Sequence, residues 1–171
     1  GLRNVTRKYQ PSLIGVATTC LSETIGDDVP LLLEQYREEE KLTDGLPHLV
    51  HVSTPSYRGT HVDGFHLAVR ALVVSLARGG TRQKRVNLLP GMVSPADLRY
   101  LKEMVADFHL AAIVLPDYSD TLDAPIADTC AAIPAGGTSI GQLMSTGRAR
   151  ATIEFGHTHN QTATAGHYLR E

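Results

Sequence analysis

The sequence predicts an α/β protein built on a mostly parallel sheet with helices on both faces. Three observations carry this. Short, β-branched apolar runs alternate with segments of helical period along the chain. Helix start and stop residues fall between those runs. The 171 residues, 42% hydrophobic and 20% charged, match the usual size of one domain and can bury a sizeable core.

Taken in order, Gly1 to Thr6 reads as part of an amphipathic segment. Ser12 to Thr19 is a short apolar run of buried-strand type. Pro30 to Lys41 begins with Pro at a first helical position, ends in charge and is followed by Gly45, which marks a helix. Asp27 and Asp28 supply its cap and first-turn charge. Leu49 to Ser53 is a second strand. Between Thr60 and Arg78, Val62, Phe65, Val69, Leu72, Val73 and Leu76 fall at helical spacing, with Gly79 and Gly80 as the stop. Arg85 to Leu89 is a third strand. Ser94 as N-cap, Pro95 at the first position and Asp97 three residues after the cap open a helix reaching about His109. Ala111 to Leu115 is a fourth strand, Thr138 to Thr146 a short helix, Ala151 to Phe155 a fifth strand, and a last helix begins near Thr162. The longest irregular stretch, Pro116 to Gly137, carries Asp117, Asp120, Asp123 and Asp128. Residues 1–171 are expected to form one α/β region, with any internal boundary near 116–137.

Composition narrows the function. Sixteen basic and 18 acidic residues give a net charge of −2, which argues against binding nucleic acid by phosphate neutralisation. No run approaches the ~20 apolar residues of a membrane span. Cys20 and Cys130 make no disulfide framework, which fits a reducing cytoplasm. Gly1 and Glu171 both sit inside helical-looking segments, so the chain is expected to be a piece of a longer protein.

In open α/β sheets, ligands lie outside the carboxyl ends of the strands. Cys20 follows the first strand. A thiolate there, near a helix N-terminus, suits a metal or cluster ligand or a nucleophile; a buried structural cysteine is the plainer reading. Ser56 follows the second strand, at the same sheet edge, as an oxygen ligand or a turn hydroxyl. His61 and His66 are five apart and do not converge as an i, i+4 pair would, while His157 and His159 alternate in a loop. A zinc site needs more ligands than these, and there is no C-x-x-C. Gly136-Gly137-Thr-Ser can cap a helix or cradle an anion. The chain has no G-x-G-x-x-G, no P-loop and no G-x-S-x-G elbow, which disfavours a nucleotide enzyme and a serine hydrolase.

Several blocks together resemble the nitrogenase component 1 family on its β-type branch. They are Thr-Thr-Cys-Leu-Ser-Glu-Thr-Ile-Gly-Asp-Asp (18–28), His-Val-Ser-Thr-Pro-Ser-Tyr-Arg-Gly-Thr-His-Val-Asp-Gly-Phe (51–65), Asn-Leu-Leu-Pro-Gly-Met-Val-Ser-Pro-Ala-Asp-Leu-Arg-Tyr-Leu-Lys (87–102), Leu-Pro-Asp-Tyr-Ser-Asp-Thr-Leu-Asp (115–123) and Gly-Gly-Thr-Ser (136–139). They occur in the family's order across nearly the whole chain.

The resemblance implies a Rossmann-like, nitrogenase-type fold, with this chain as the middle of a three-domain subunit. It implies that Cys20 ligates an iron–sulfur cluster at the interface with an α-type subunit, and that Ser56 lies beside that cluster and ligates it in one redox state. Both are thus cofactor-binding and metal residues in the full complex, whereas no catalytic residue is assigned. The remaining β-type ligands precede this sequence in the family, so the fragment alone is expected to lack an intact cluster and activity. An iron-protein reductase is the further partner implied. The third and fourth blocks, and the ending Ala-Gly-His-Tyr-Leu-Arg-Glu, look more like the β-type subunit of the iron–molybdenum cofactor assembly scaffold. The β chain of the catalytic molybdenum–iron nitrogenase is the alternative, and a non-enzymatic α/β module binding a small anion at Gly136–Ser139 is an alternative of another class.

Overall fold

The computed structural model describes residues 1–41, 45–123, 136–156 and 164–170. They divide into two compact units, Gly1–Ala71 and Leu72–Glu171.

The first unit begins with helix α1 (Leu2–Tyr9), followed by strand β1 (Leu13–Thr18), helices α2 (Cys20–Ile25) and α3 (Val29–Glu39), and strand β2 (His48–Ser53). A 3-10 turn over Ser56–Arg58 leads into helix α4 (His61–Leu76), whose residues from Leu72 on count with the second unit. β1 and β2 pair in parallel, with Leu13 opposite His48 and Thr18 opposite Ser53. Side chains alternate across a strand. Ile14 and Val16 therefore share a face and pack with Leu33 and Tyr36 of α3, Leu49 of β2, and Leu2 of α1. On the other face Gly15 and Ala17 are exposed among the described residues, short of the fully buried strand its apolar run predicts. Polar links add to the packing. Asp28 caps α3 by accepting the Leu31 amide at 3.0 Å, and the Thr6 and Tyr36 hydroxyls join α1 to α3 at 3.0 Å.

The second unit contains strand β3 (Gln83–Leu89), helix α5 (Pro95–Asp107), strand β4 (Ala111–Val114), helix α6 (Ile140–Ser145), strand β5 (Ala149–Glu154) and helix α7 (Ala165–Tyr168). The sheet order is β4-β3-β5, parallel throughout. Val86 and Leu88 of β3 pack with Leu98 and Val105 of α5 and Val114 of β4. Asn87 faces the other way. It is buried in the central strand, and its amide donates to the Thr146 carbonyl at 2.9 Å and to the Thr152 hydroxyl at 3.0 Å. The predicted start of α5 is realised in full: Ser94 accepts the Asp97 amide at 3.1 Å, while the Asp97 carboxylate accepts the Ser94 amide at 3.2 Å.

The alternating order and parallel pairing agree with the predicted α/β class. Boundaries move by one to three residues, as at β5, which starts at Ala149. α2 is an element that the apolar pattern did not announce. Among the described residues, no helix is long and apolar enough to cross a membrane.

Candidate functional site

The parallel register builds the site in the first unit. Thr18 and Ser53 end their strands side by side, and the Thr18 carbonyl accepts the Thr54 amide at 2.9 Å and the Thr54 hydroxyl at 3.2 Å. Beyond that shared edge, the first chain turns at Thr19 into α2 and the second turns at Pro55 into the 3-10 turn. Cys20 is the first residue of α2 and Ser56 the first of the 3-10 turn, so the two turns face each other. The Cys20 sulfur lies 2.9 Å from the Ser56 hydroxyl oxygen and accepts the Ser56 amide at 3.2 Å.

Cys20 is a free, partly exposed thiol. The Ser56 hydroxyl, and after it the Ser56 amide, hold the thiol below its ordinary pKa, because both donate to the sulfur and favour the thiolate. Leu21 and Tyr57, next in sequence to Cys20 and Ser56, are exposed, as is Ile25 at the end of α2. The pair offers one soft sulfur donor and one hard oxygen donor along one edge. Thiolate sulfur is the natural ligand of iron–sulfur centres. The donor chemistry therefore fits one edge of such a cluster, and further thiolates from outside the described residues would complete it.

Further polar groups join α2 to the strand ends. Glu23, one turn further along α2, accepts a hydrogen bond from the buried Thr18 hydroxyl. The Ser53 hydroxyl faces the same carboxylate without reaching regular hydrogen-bond geometry. Ser53 first and Thr18 second hold the Glu23 carboxyl below the usual carboxylate range, with smaller help from Arg58 and His51. Sequence reasoning quoted Glu23 within a block but gave it no role. The available signal is its position, three residues after the candidate ligand in the segment that follows a strand.

Among the described residues, no three of His, Cys, Asp and Glu are grouped to hold a metal ion. The His66 ring stands edge-on to Phe65, with centroids 5.7 Å apart, and His167 lies in α7. His157, His159, Asp128 and Cys130 lie outside the described residues. At 136–139, the Ser139 amide donates to Gln142 at 2.8 Å and the Gln142 amide to Ser139 at 3.2 Å, a reciprocal cap at the start of α6.

The strand ends of the second unit carry a polar network that sequence reasoning missed. Asp117 accepts from Lys102 at 3.1 Å and from the Ser119 hydroxyl and amide at 2.6 and 3.0 Å. Arg99 grips Asp123 with both guanidinium nitrogens, at 2.8 and 3.1 Å. The Tyr118 hydroxyl donates to the Val93 carbonyl at 2.7 Å and accepts the Val93 amide at 3.0 Å, tying the segment after β4 to the one after β3. These groups satisfy one another and brace the loops.

Comparisons with known proteins agree with the blocks quoted above. The family model "Nitrogenase component 1 type Oxidoreductase" matches residues 1–171. The nitrogenase molybdenum-iron protein beta chain of Clostridium pasteurianum is 37% identical over 156 residues, covering 91% of this chain and 34% of the relative. The nitrogenase iron-molybdenum cofactor biosynthesis protein NifN of Bradyrhizobium diazoefficiens is 36% identical over 159 residues, covering 90% and 34%. A solved structure, nitrogenase Cp1 at pH 6.5, superposes with a TM-score of 0.82 at 38% identity, covering 88% of this chain and 33% of that one. The chain thus spans about a third of the length of these relatives. In blocks, fold and overall match, the chain belongs to the nitrogenase component 1 type oxidoreductase family, on its β-type branch.

Proposed function

We propose that this chain is part of the β-type subunit of an iron–molybdenum cofactor assembly scaffold, and that Cys20, with Ser56 beside it, contributes to an iron–sulfur cluster shared with an α-type partner. The observation that carries the cluster role is the convergence of the Ser56 hydroxyl and amide on the Cys20 sulfur. A bound cluster supplies one-electron storage and transfer. What this chain's residues contribute is a thiol whose pKa is lowered toward the iron-binding thiolate, a hydroxyl oxygen at the same edge, and the exposed apolar side chains Leu21, Ile25 and Tyr57 on the two turns. The scaffold assignment rests on the blocks at 87–102 and 115–123. An iron-protein reductase is the electron donor in this reading, and the compartment is the cytoplasm.

The test is the iron content of the full α/β complex purified without oxygen. The C20A variant is expected to lose iron and visible absorption. Full retention of both would remove Cys20 from the ligand set.

A second reading is the β chain of the catalytic molybdenum–iron protein. It is favoured by the Cys20–Ser56 pair, which suits that chain equally, and by relatives of the two kinds matching at 37% and 36% identity. Assay of the complex with its iron protein separates them. Dinitrogen reduction supports the catalytic chain, and donation of a cofactor precursor to a cofactor-free acceptor supports the scaffold.

A further inference from the structure

The position of Cys20 is not explained by packing. α2 is six residues long and buries none of them; Leu21 and Ile25 point into solvent. A helix this short does not hold itself together in water. Its ends are closed locally: the Ser22 hydroxyl accepts the Thr19 amide at 3.2 Å, and Gly26, at φ 81°, turns the chain out of the helix while its amide bonds the Ser22 carbonyl at 3.1 Å. Those contacts shape the helix without fixing it to the sheet.

The side-chain link that does so is Glu23. Its carboxylate accepts a hydrogen bond from the hydroxyl of Thr18, the last residue of β1, which is 5% exposed. The Thr18 hydroxyl also lies 3.3 Å from the His51 ring and 3.4 Å from the Val52 carbonyl, both on β2. The carboxylate thereby ties the Cys20 helix to the end of β1, at a hydroxyl that also lies beside β2. The opposite turn is anchored independently through Thr54 on the Thr18 carbonyl. Both arms meet at Thr18.

We propose that Glu23 is a positioning residue that holds the Cys20 sulfur against Ser56 before any ligand arrives. The proposal rests on the reading of Cys20 and Ser56 as a donor pair, and it adds the group that sets their separation. Preorganisation of this kind lowers the ordering cost of binding, since the donors need not be gathered afterwards.

Disulfide trapping reads the separation directly. In the full-length subunit freed of iron, S56C places a second thiol opposite Cys20. Oxidised glutathione is the oxidant: one thiolate attacks it and releases one reduced glutathione, then the other thiolate resolves the mixed disulfide and releases a second. The 20–56 crosslink is counted by peptide mapping. E23A in this background is expected to slow trapping by roughly tenfold, the lower end of the scale of one lost hydrogen bond to a charged group. T18V, which cuts the same link from the strand side, is expected to match it. E23Q, which keeps an oxygen for the Thr18 hydroxyl, is expected to restore most of the rate. Trapping at the parent rate in both E23A and T18V overturns the proposal. So does slow trapping that comes only with loss of the folded circular-dichroism signal or that E23Q does not rescue. Iron retention in C20A would instead overturn the ligand reading and leave the trapping result standing.

Discussion

The Ser56 hydroxyl and the Cys20 sulfur sit 2.9 Å apart although 36 residues separate them in the chain. Two parallel strands ending in register produce that meeting, and no contact between neighbours in sequence could replace it.

Removing the hydroxyl is expected to make Cys20 a more ordinary thiol. In S56A the largest cause of its acidity is gone, and only backbone amides, that of Ser56 foremost, still favour the thiolate. The midpoint of the pH dependence of Cys20 alkylation should move upward. An unmoved midpoint would show that the hydroxyl does not stabilise the thiolate.

Lys102 supports a partly buried carboxylate. Burial by itself pushes the Asp117 carboxyl up, but Ser119 and Lys102 together outweigh it and bring the net pKa below the usual value. A depressed carboxylate pKa adds stability that is present above the unfolded value and lost as the pH falls through the folded one. K102M is expected to cost about 1–2 kcal/mol at neutral pH, at the lower end for a charged pair because solvent screens it. The difference should shrink in acid. Urea midpoints at pH 7 and pH 3 check this, and an equal loss at both would assign the effect to packing.

Leu98 is fully buried against Val86, Leu88, Val105 and Val114. Truncation to Ala removes apolar contact and leaves a cavity, so L98A is expected to cost about 3 kcal/mol. Chemical denaturation measures it. A loss near zero would mean that α5 can collapse onto the sheet.

The Tyr118 hydroxyl holds the chain at Val93 through both a donated and an accepted bond. Y118F should cost about 1–2 kcal/mol, because the Val93 amide loses its partner. Faster hydrogen exchange at Val93 is the specific sign, and unchanged exchange there would place the Tyr118 contribution elsewhere.

At the start of α5, S94A should cost about 1 kcal/mol by breaking the reciprocal bonds with Asp97. A thermal melt checks it, and no shift would mean that Asp97 alone secures the helix start.

Much of this structure was legible because the signals are local. Ser94, Pro95 and Asp97 write a helix start within four residues, and Asp28 before Pro30 does the same for α3. The apolar runs gave the strands, and the rule that strand ends carry the ligands brought Cys20 and Ser56 to one edge. What stayed hidden depends on partners that a linear pattern does not name. α2 has no buried stripe, so its periodicity gave no sign. Lys102 and Asp117 lie 15 residues apart and meet only once β4 has been laid down. The run at β1 looked buried on both faces, yet Gly15 and Ala17 are exposed, because a run of apolar residues does not say how many neighbours a strand will have.

The pairing of Thr18 with Ser53 acts as a zero mark from which both turns are counted. Two residues on from one mark stands the thiol, and three on from the other stands the hydroxyl. Insertions between Glu39 and His48 would leave both counts intact. One extra residue between Thr18 and Cys20, or between Ser53 and Ser56, would carry a donor past its opposite number. Length variation in this subunit should therefore accumulate in the connection and be purged from those two short intervals.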